Sequence, residues 1–240
     1  MDGSFSFFVP LSDWAQAQDA WRVLFLRHES LLTSEHTSLF AEGLKQTGFN
    51  PQQLPAFMDI EGFLRPYGWS AVKVHEPLSF LDTLKYFAHQ QFPVPMFIRD
   101  RQHLDYSKTP DFFMLCFAQL PLLFFSDYRS VLVEFGRLSQ LLVGDKADFL
   151  ERVERQYWYS LAKGLLNSET GLQVIGFLLL ESPSERQYSL DDSRQKVYGL
   201  HPVMRTPVVG DKFSNIYYVF DNCSQLRRSL LDFERMYKNA

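Results

Sequence analysis

At 240 residues, 46% of them hydrophobic and 23 of them phenylalanine, the chain is long enough for a sizeable core and too apolar for disorder. A formal net charge of −4 and a sequence pI near 5.9 leave no basic surplus to neutralise phosphates, so nucleic acid is excluded as an expected partner. Cys116 and Cys223 are the only cysteines; they make neither a zinc set nor a disulfide framework, which suits a cytoplasmic protein.

The opening Met1-Asp2-Gly3-Ser4 lacks the positive flank and apolar core of a signal peptide, and residues 1–12 read as a loose start. From 14 to 32, Trp14, Ala17, Trp21, Leu24 and Phe25 recur near a helical period. Residues 34–44 read as a second helix, closed by Thr47-Gly48-Phe49-Asn50-Pro51, and 53–64 as a third, ended before Pro66. Residues 71–74 and 96–98 read as short strands, by β-branched and aromatic content, with a helix over 78–88 between them. Pro110 suits the first position of a helix over 111–118, and Pro121 is expected to stop it. Residues 120–125 form the longest strongly apolar run, far too short to span a bilayer, so no membrane partner is expected. Two long helices follow, over 126–142 and 146–166. Residues 174–180 read as a strand or buried turn, 197–207 as a loop, 215–220 as a strand and 223–236 as a last helix. No internal repeat or low-complexity segment interrupts this order. The expectation is one domain over residues 1–240, mainly α with a few short strands.

Several motifs, taken in order, resemble those of the pterin-dependent aromatic amino acid hydroxylases. Asp19-Ala20-Trp21-Arg22-Val23-Leu24 is similar to the family's H-x-x-W-[RK]-x-L, and Tyr67-Gly68-Trp69 to its T-G-[WF] turn. Phe92-Pro93-Val94-Pro95-Met96-Phe97-Ile98-Arg99 resembles F-P-x-x-x-F-I-R, and Leu104-Asp105-Tyr106 resembles L-D-Y. Glu185 with Tyr188 matches E-x-x-Y, and Tyr217-Tyr218-Val219 matches Y-[YF]-V. The match is collinear from residue 19 to about 220 and is nearest to the single-domain bacterial phenylalanine hydroxylases. It implies the catalytic-domain fold of that family.

The resemblance also implies a degenerate iron site. The segment from Lys108 to Leu123 aligns with E-P-D-x-x-H-[DE]-x-x-G-H-V-P-L, and places Met114 and Gln119 at the two histidines. Tyr157-Trp158-Tyr159-Ser160-Leu161-Ala162-Lys163-Gly164 aligns with Y-W-[FY]-T-V-E-F-G, and places Ala162 at the glutamate. Oxygenase iron takes two imidazoles and a carboxylate; thioether, amide and methyl do not supply them. His75, His89, His103 and His201 stand at no matched inward position. The V-P-G-L-V segment that passes over the pterin reads Val74-His75-Glu76-Pro77-Leu78, with Glu76 in place of glycine. Neither iron nor tetrahydropterin is therefore expected as a cofactor.

The amino acid end of the pocket is better kept. By the resemblance Arg99 grips a carboxylate, Asp111 holds Arg99, and Ser107 and Trp158 flank the ligand. The equal alternative is a structural Arg99–Asp111 ion pair. Lys163 and Glu181 bring two charges to lining positions, and a buried pair between them is expected, against the alternative of Lys163 in solvent. The reading is a non-hydroxylating homologue with a pocket for an amino acid, another small carboxylate or an aromatic metabolite. One alternative is an iron-independent enzyme using Lys163 and Glu181 in acid–base chemistry, with Tyr106, Tyr157 and Cys116 nearby. The other is a pterin-dependent monooxygenase with an unusual metal site.

Overall fold

A computed structural model describes residues 7–104, 107, 109–141, 147–209 and 213–238. Helix α1 (Trp14–Arg27) begins where the Asp13 carboxylate accepts from Gln16 N, and it buries Ala17, Ala20, Trp21, Leu24 and Phe25. Helix α2 (Ser38–Thr47) ends at Gly48, whose φ of 71° lies in the left-handed region that favours glycine. Helix α3 (Phe57–Leu64) and helix α4 (Phe80–Ala88) follow, the latter capped by Ser79. The indole of Trp21 is fully buried among the rings of Phe25, Phe49, Phe112, Phe113 and Phe117, and its Nε1 donates to Asn50 O at 2.9 Å. The indole thus joins α1 to the segment around Phe113 through apolar area and edge-to-face contacts.

Within the start expected to be loose, residues 8–10 form a strand, and residues 1–6 lie outside the described residues. Strand β1 (Phe8–Pro10) pairs antiparallel with β4 (Phe97–Arg99), with Phe8 opposite Arg99. A three-residue strand is too short to show periodicity, and its partner is distant in sequence. Strands β2 (Ser70–Val74) and β3 (Gln91–Pro95) pair parallel around α4. Prolines at 93 and 95 hide β3 from a residue-by-residue reading.

The two segments that the resemblance aligns with iron ligands depart from α-helix. Residues Phe113–Gln119 form a π-helix with all seven residues buried, and a 3₁₀ turn over Leu120–Phe124 continues it. Pro121 does not stop this segment; it sits in the first turn of the 3₁₀ piece, where its missing N–H costs nothing. The expected helix over 146–166 also divides. Helix α6 (Ala147–Tyr157) passes into a π-helix over Trp158–Ala162, and strand β5 starts at Leu165 (Leu165–Ser168). Lys163 N closes the wide turn on Trp158 O at 2.8 Å. Helix α5 (Ser126–Ser139) packs on α4 and on α10 (Cys223–Lys238).

Strand β6 (Gly171–Val174) joins β5, β8 (Tyr217–Phe220) and β7 (Gln195–Val197) in a sheet of order β6-β5-β8-β7. Residues 174–180, expected as strand or turn, instead end β6 and build helix α7 (Phe177–Glu181). A Cβ on Gly176 would lie 2.7 Å from Ala162 O, so only glycine lets α7 start against the second π segment. Helix α8 (Pro183–Ser189) follows, and α9 (Leu200–Arg205) replaces the loop expected over 197–207, buried through Val203 and Met204. Among the described residues no helix is long and apolar enough to cross a membrane. The architecture is mainly α with short strands, as expected.

Candidate functional site

Both π segments pack on α7, which ends at Glu181. Arg99, at the end of β4, is 1% exposed and Asp111 is fully buried. Asp111 Oδ2 accepts from Arg99 N at 2.9 Å and Nε at 2.8 Å; Oδ1 accepts from Arg99 Nη2 at 3.0 Å and from Met114 N at 2.9 Å. One carboxylate therefore fixes the guanidinium and opens the first π segment. The remaining arm of Arg99, Nη1, donates to Glu181 Oε1. Burial alone would lower the Arg99 pKa, but Asp111 and Glu181 outweigh it and raise it. Burial, with Asp111 as a like charge, raises the Glu181 carboxyl above its usual range.

The expected Lys163–Glu181 pair does not form. Lys163 is buried, so it does not point to solvent either, but its Nζ donates to Glu185 Oε1 at 2.7 Å. The same oxygen accepts from Tyr217 Oη at 2.9 Å and Ser214 N at 3.1 Å. The reason is the boundary of α7: Glu181 ends that helix and turns toward β4, whereas Glu185 lies one helix later, against β8. Lys163 and Glu181 thus hold different partners and do not share one acid–base pair. Sequence reasoning gave Glu185 no charge-pairing role; its only signal was its place in E-x-x-Y. It also passed over His28, whose Nδ1 and Nε2 lie 2.6 and 2.7 Å from Leu24 O and Glu181 O. Burial holds the His28 pKa below its ordinary value. This ring ties the end of α1 to the backbone that carries Glu181.

Met114 is 2% exposed, Gln119 1% and Ala162 1%. Gln119 Nε2 donates to Tyr157 Oη at 3.0 Å, and burial raises the Tyr157 pKa. A thioether, an amide engaged with a phenol and a methyl group do not fit ferrous iron. Among the described residues no three His, Cys, Asp or Glu side chains gather as a metal set. His75, His89 and His201 are exposed, and His103 Nδ1 lies 2.7 Å from Asp100 Oδ1. Ser107 Oγ donates to Thr109 O at 2.5 Å. The Trp158 ring lies 5.0 Å from Lys163 Nζ, and its buried Nε1 has no hydrogen-bond acceptor among the described residues. His75, Glu76 and Pro77 form an exposed connection between β2 and α4. Tyr106 lies outside the described residues.

Residues 9–240 match the model of the biopterin-dependent aromatic amino acid hydroxylases. Similar curated proteins include a phenylalanine-4-hydroxylase of Ralstonia nicotianae, 31% identical over 224 residues, covering 90% of this chain and 70% of that one. Another, from Caulobacter vibrioides, is 32% identical over 233 residues, covering 94% and 78%. The structure of Chromobacterium violaceum phenylalanine hydroxylase with bound oxidized Fe(III) superposes with a TM-score of 0.85 at 27% identity, covering 100% of this chain and 89% of that one.

Proposed function

The chain belongs to the biopterin-dependent aromatic amino acid hydroxylase family, and within it we propose a non-hydroxylating member that binds a small carboxylate or an aromatic metabolite without iron or tetrahydropterin. The observation that carries this reading is the replaced donor set. Met114, Gln119 and Ala162 are all buried in packed π segments, and one of them is already committed to Tyr157. Such a set offers ferrous iron neither an imidazole nor a carboxylate. The exposed Glu76-Pro77 connection supports the loss of pterin recognition.

What the chain keeps are recognition groups. Arg99 is a planar fork that suits a carboxylate, and Asp111 orients it with two hydrogen bonds, from Nε and Nη2. Trp158 adds an apolar face and a buried N–H in need of an acceptor. These groups would bind and orient a ligand in a site shielded from water.

The test is iron content after anaerobic ferrous incubation and desalting, with tyrosine formation from phenylalanine and a tetrahydropterin assayed in parallel. Substoichiometric iron and no tyrosine are expected. One tightly held iron per chain, or turnover, would overturn the reading.

A further inference from the structure

The guanidinium of Arg99 faces two carboxylates, and the two are not equivalent. Asp111 is fully buried and holds four hydrogen bonds, from Arg99 N, Nε and Nη2 and from Met114 N. Removing it would undo the start of the π segment as well as the ion pair. Glu181 meets Arg99 only through Nη1, and 11% of its side chain is exposed. Its backbone carbonyl lies apart from Arg99, 2.7 Å from His28 Nε2. The side chain can therefore leave Arg99 by rotation while α7 stays in place.

The charges point the same way. One guanidinium between two buried carboxylates leaves the trio with a surplus negative charge, and like charges in a buried site oppose one another. Arg186 does not relieve it through a direct bond, since its Nη1 and Nη2 donate to Leu180 O and Ser30 Oγ. Lys163 is committed to Glu185. The Glu181 carboxylate is thus the most weakly held acceptor on Arg99 and the one that solvent reaches.

We propose that Glu181 is an internal occupant of the carboxylate position on Arg99, so that the protein rests in a self-occupied state and an external monocarboxylate must displace this side chain to bind. The inference rests on the reading above that Arg99 serves a small carboxylate. It makes Glu181 the residue that sets affinity and selectivity at this site. A ligand competes with a tethered carboxylate at high effective concentration, so weak acids of ordinary affinity are excluded. Only a ligand that adds contacts beyond its carboxylate would open the site.

The experiment is isothermal titration calorimetry of the full chain, freed of metal by chelator, with 3-phenylpropionate at pH 7.5. Wild type is compared with Glu181→Ser and Glu181→Gln, and circular dichroism reports folding. The serine variant is expected to bind at least tenfold more tightly than wild type. The glutamine variant keeps the volume and the acceptor for Nη1 but not the charge, and is expected to tighten binding several-fold. Equal affinity of wild type and folded variants would overturn the internal occupant while leaving the carboxylate site intact. Absence of binding in every form would overturn the carboxylate reading itself, and the inference with it.

Discussion

The Lys163–Glu185 pair offers a quantitative test of how the charges are distributed. The two side chains are 4% and 8% exposed, with Nζ and Oε1 2.7 Å apart. At an effective dielectric of about 20, unit charges at that distance attract by about 6 kcal/mol, most of it offset by the cost of burying both ions. Lys163→Met leaves the Glu185 carboxylate buried with Tyr217 Oη and Ser214 N as the donors to its side chain among the described residues. The expected loss is about 3–5 kcal/mol, a large part of the roughly 5–15 kcal/mol that holds an ordinary domain. Adding Glu185→Gln removes the stranded charge and keeps an acceptor for both donors. The double variant should regain stability, for a coupling energy of about 2–4 kcal/mol. Lys163→Met with Glu181→Gln should be additive within about 0.5 kcal/mol, because the two residues share no partner. Urea unfolding at pH 7.5, followed by tryptophan fluorescence and circular dichroism, measures both cycles. Coupling below about 0.5 kcal/mol in the first cycle, or larger coupling in the second, would refute the assignment of partners.

Three other outcomes follow from the same geometry. The Glu181 carboxyl is raised above its ordinary value of 4.5, so the folded state holds that proton more tightly than the unfolded chain. Its contribution is full below about pH 4.5 and is lost as pH rises through the folded value, so wild type should lose stability relative to Glu181→Gln over that rise; a flat difference in urea midpoints across the series would contradict this. Burial raises the Cys116 thiol well above its ordinary range, and burial with Asp127 pushes Cys223 up to about 12. Iodoacetamide at pH 8 should therefore spare both thiols in the native protein and modify both in urea, and rapid native labelling would count against the packing described. Gly176→Ala would place a Cβ 2.7 Å from Ala162 O and from Lys163 Cα, and should cost about 1–3 kcal/mol by thermal or urea unfolding; an unchanged midpoint would show that α7 can move away from the π segment.

Much of this protein was determined by local sequence. The amphipathic stretch around Trp21, the Gly48 stop and the buried run from Phe112 follow from side-chain pattern and backbone preference, and the structure places them in one core. The collinear motifs identified the family, which the comparisons show. Local pattern did not reveal the β1–β4 pairing, the proline-bearing β3 or the π geometry of Phe113–Gln119 and Trp158–Ala162. Those depend on partners remote in sequence, or on a widened turn that shares its residue types with an ordinary helix. The charges show the division most sharply. Arg99, Asp111, Lys163 and Glu181 could all be singled out from the chain, and the Arg99–Asp111 pair with them, but the partners of Lys163 and Glu181 could not. That choice turned on where α7 ends: this sends Glu181 toward Arg99 and leaves Lys163 to Glu185, four residues later and on the next helix. An ion pair is decided by the relative placement of whole elements within an ångström or two, which one-dimensional spacing does not encode and only the packed tertiary structure sets.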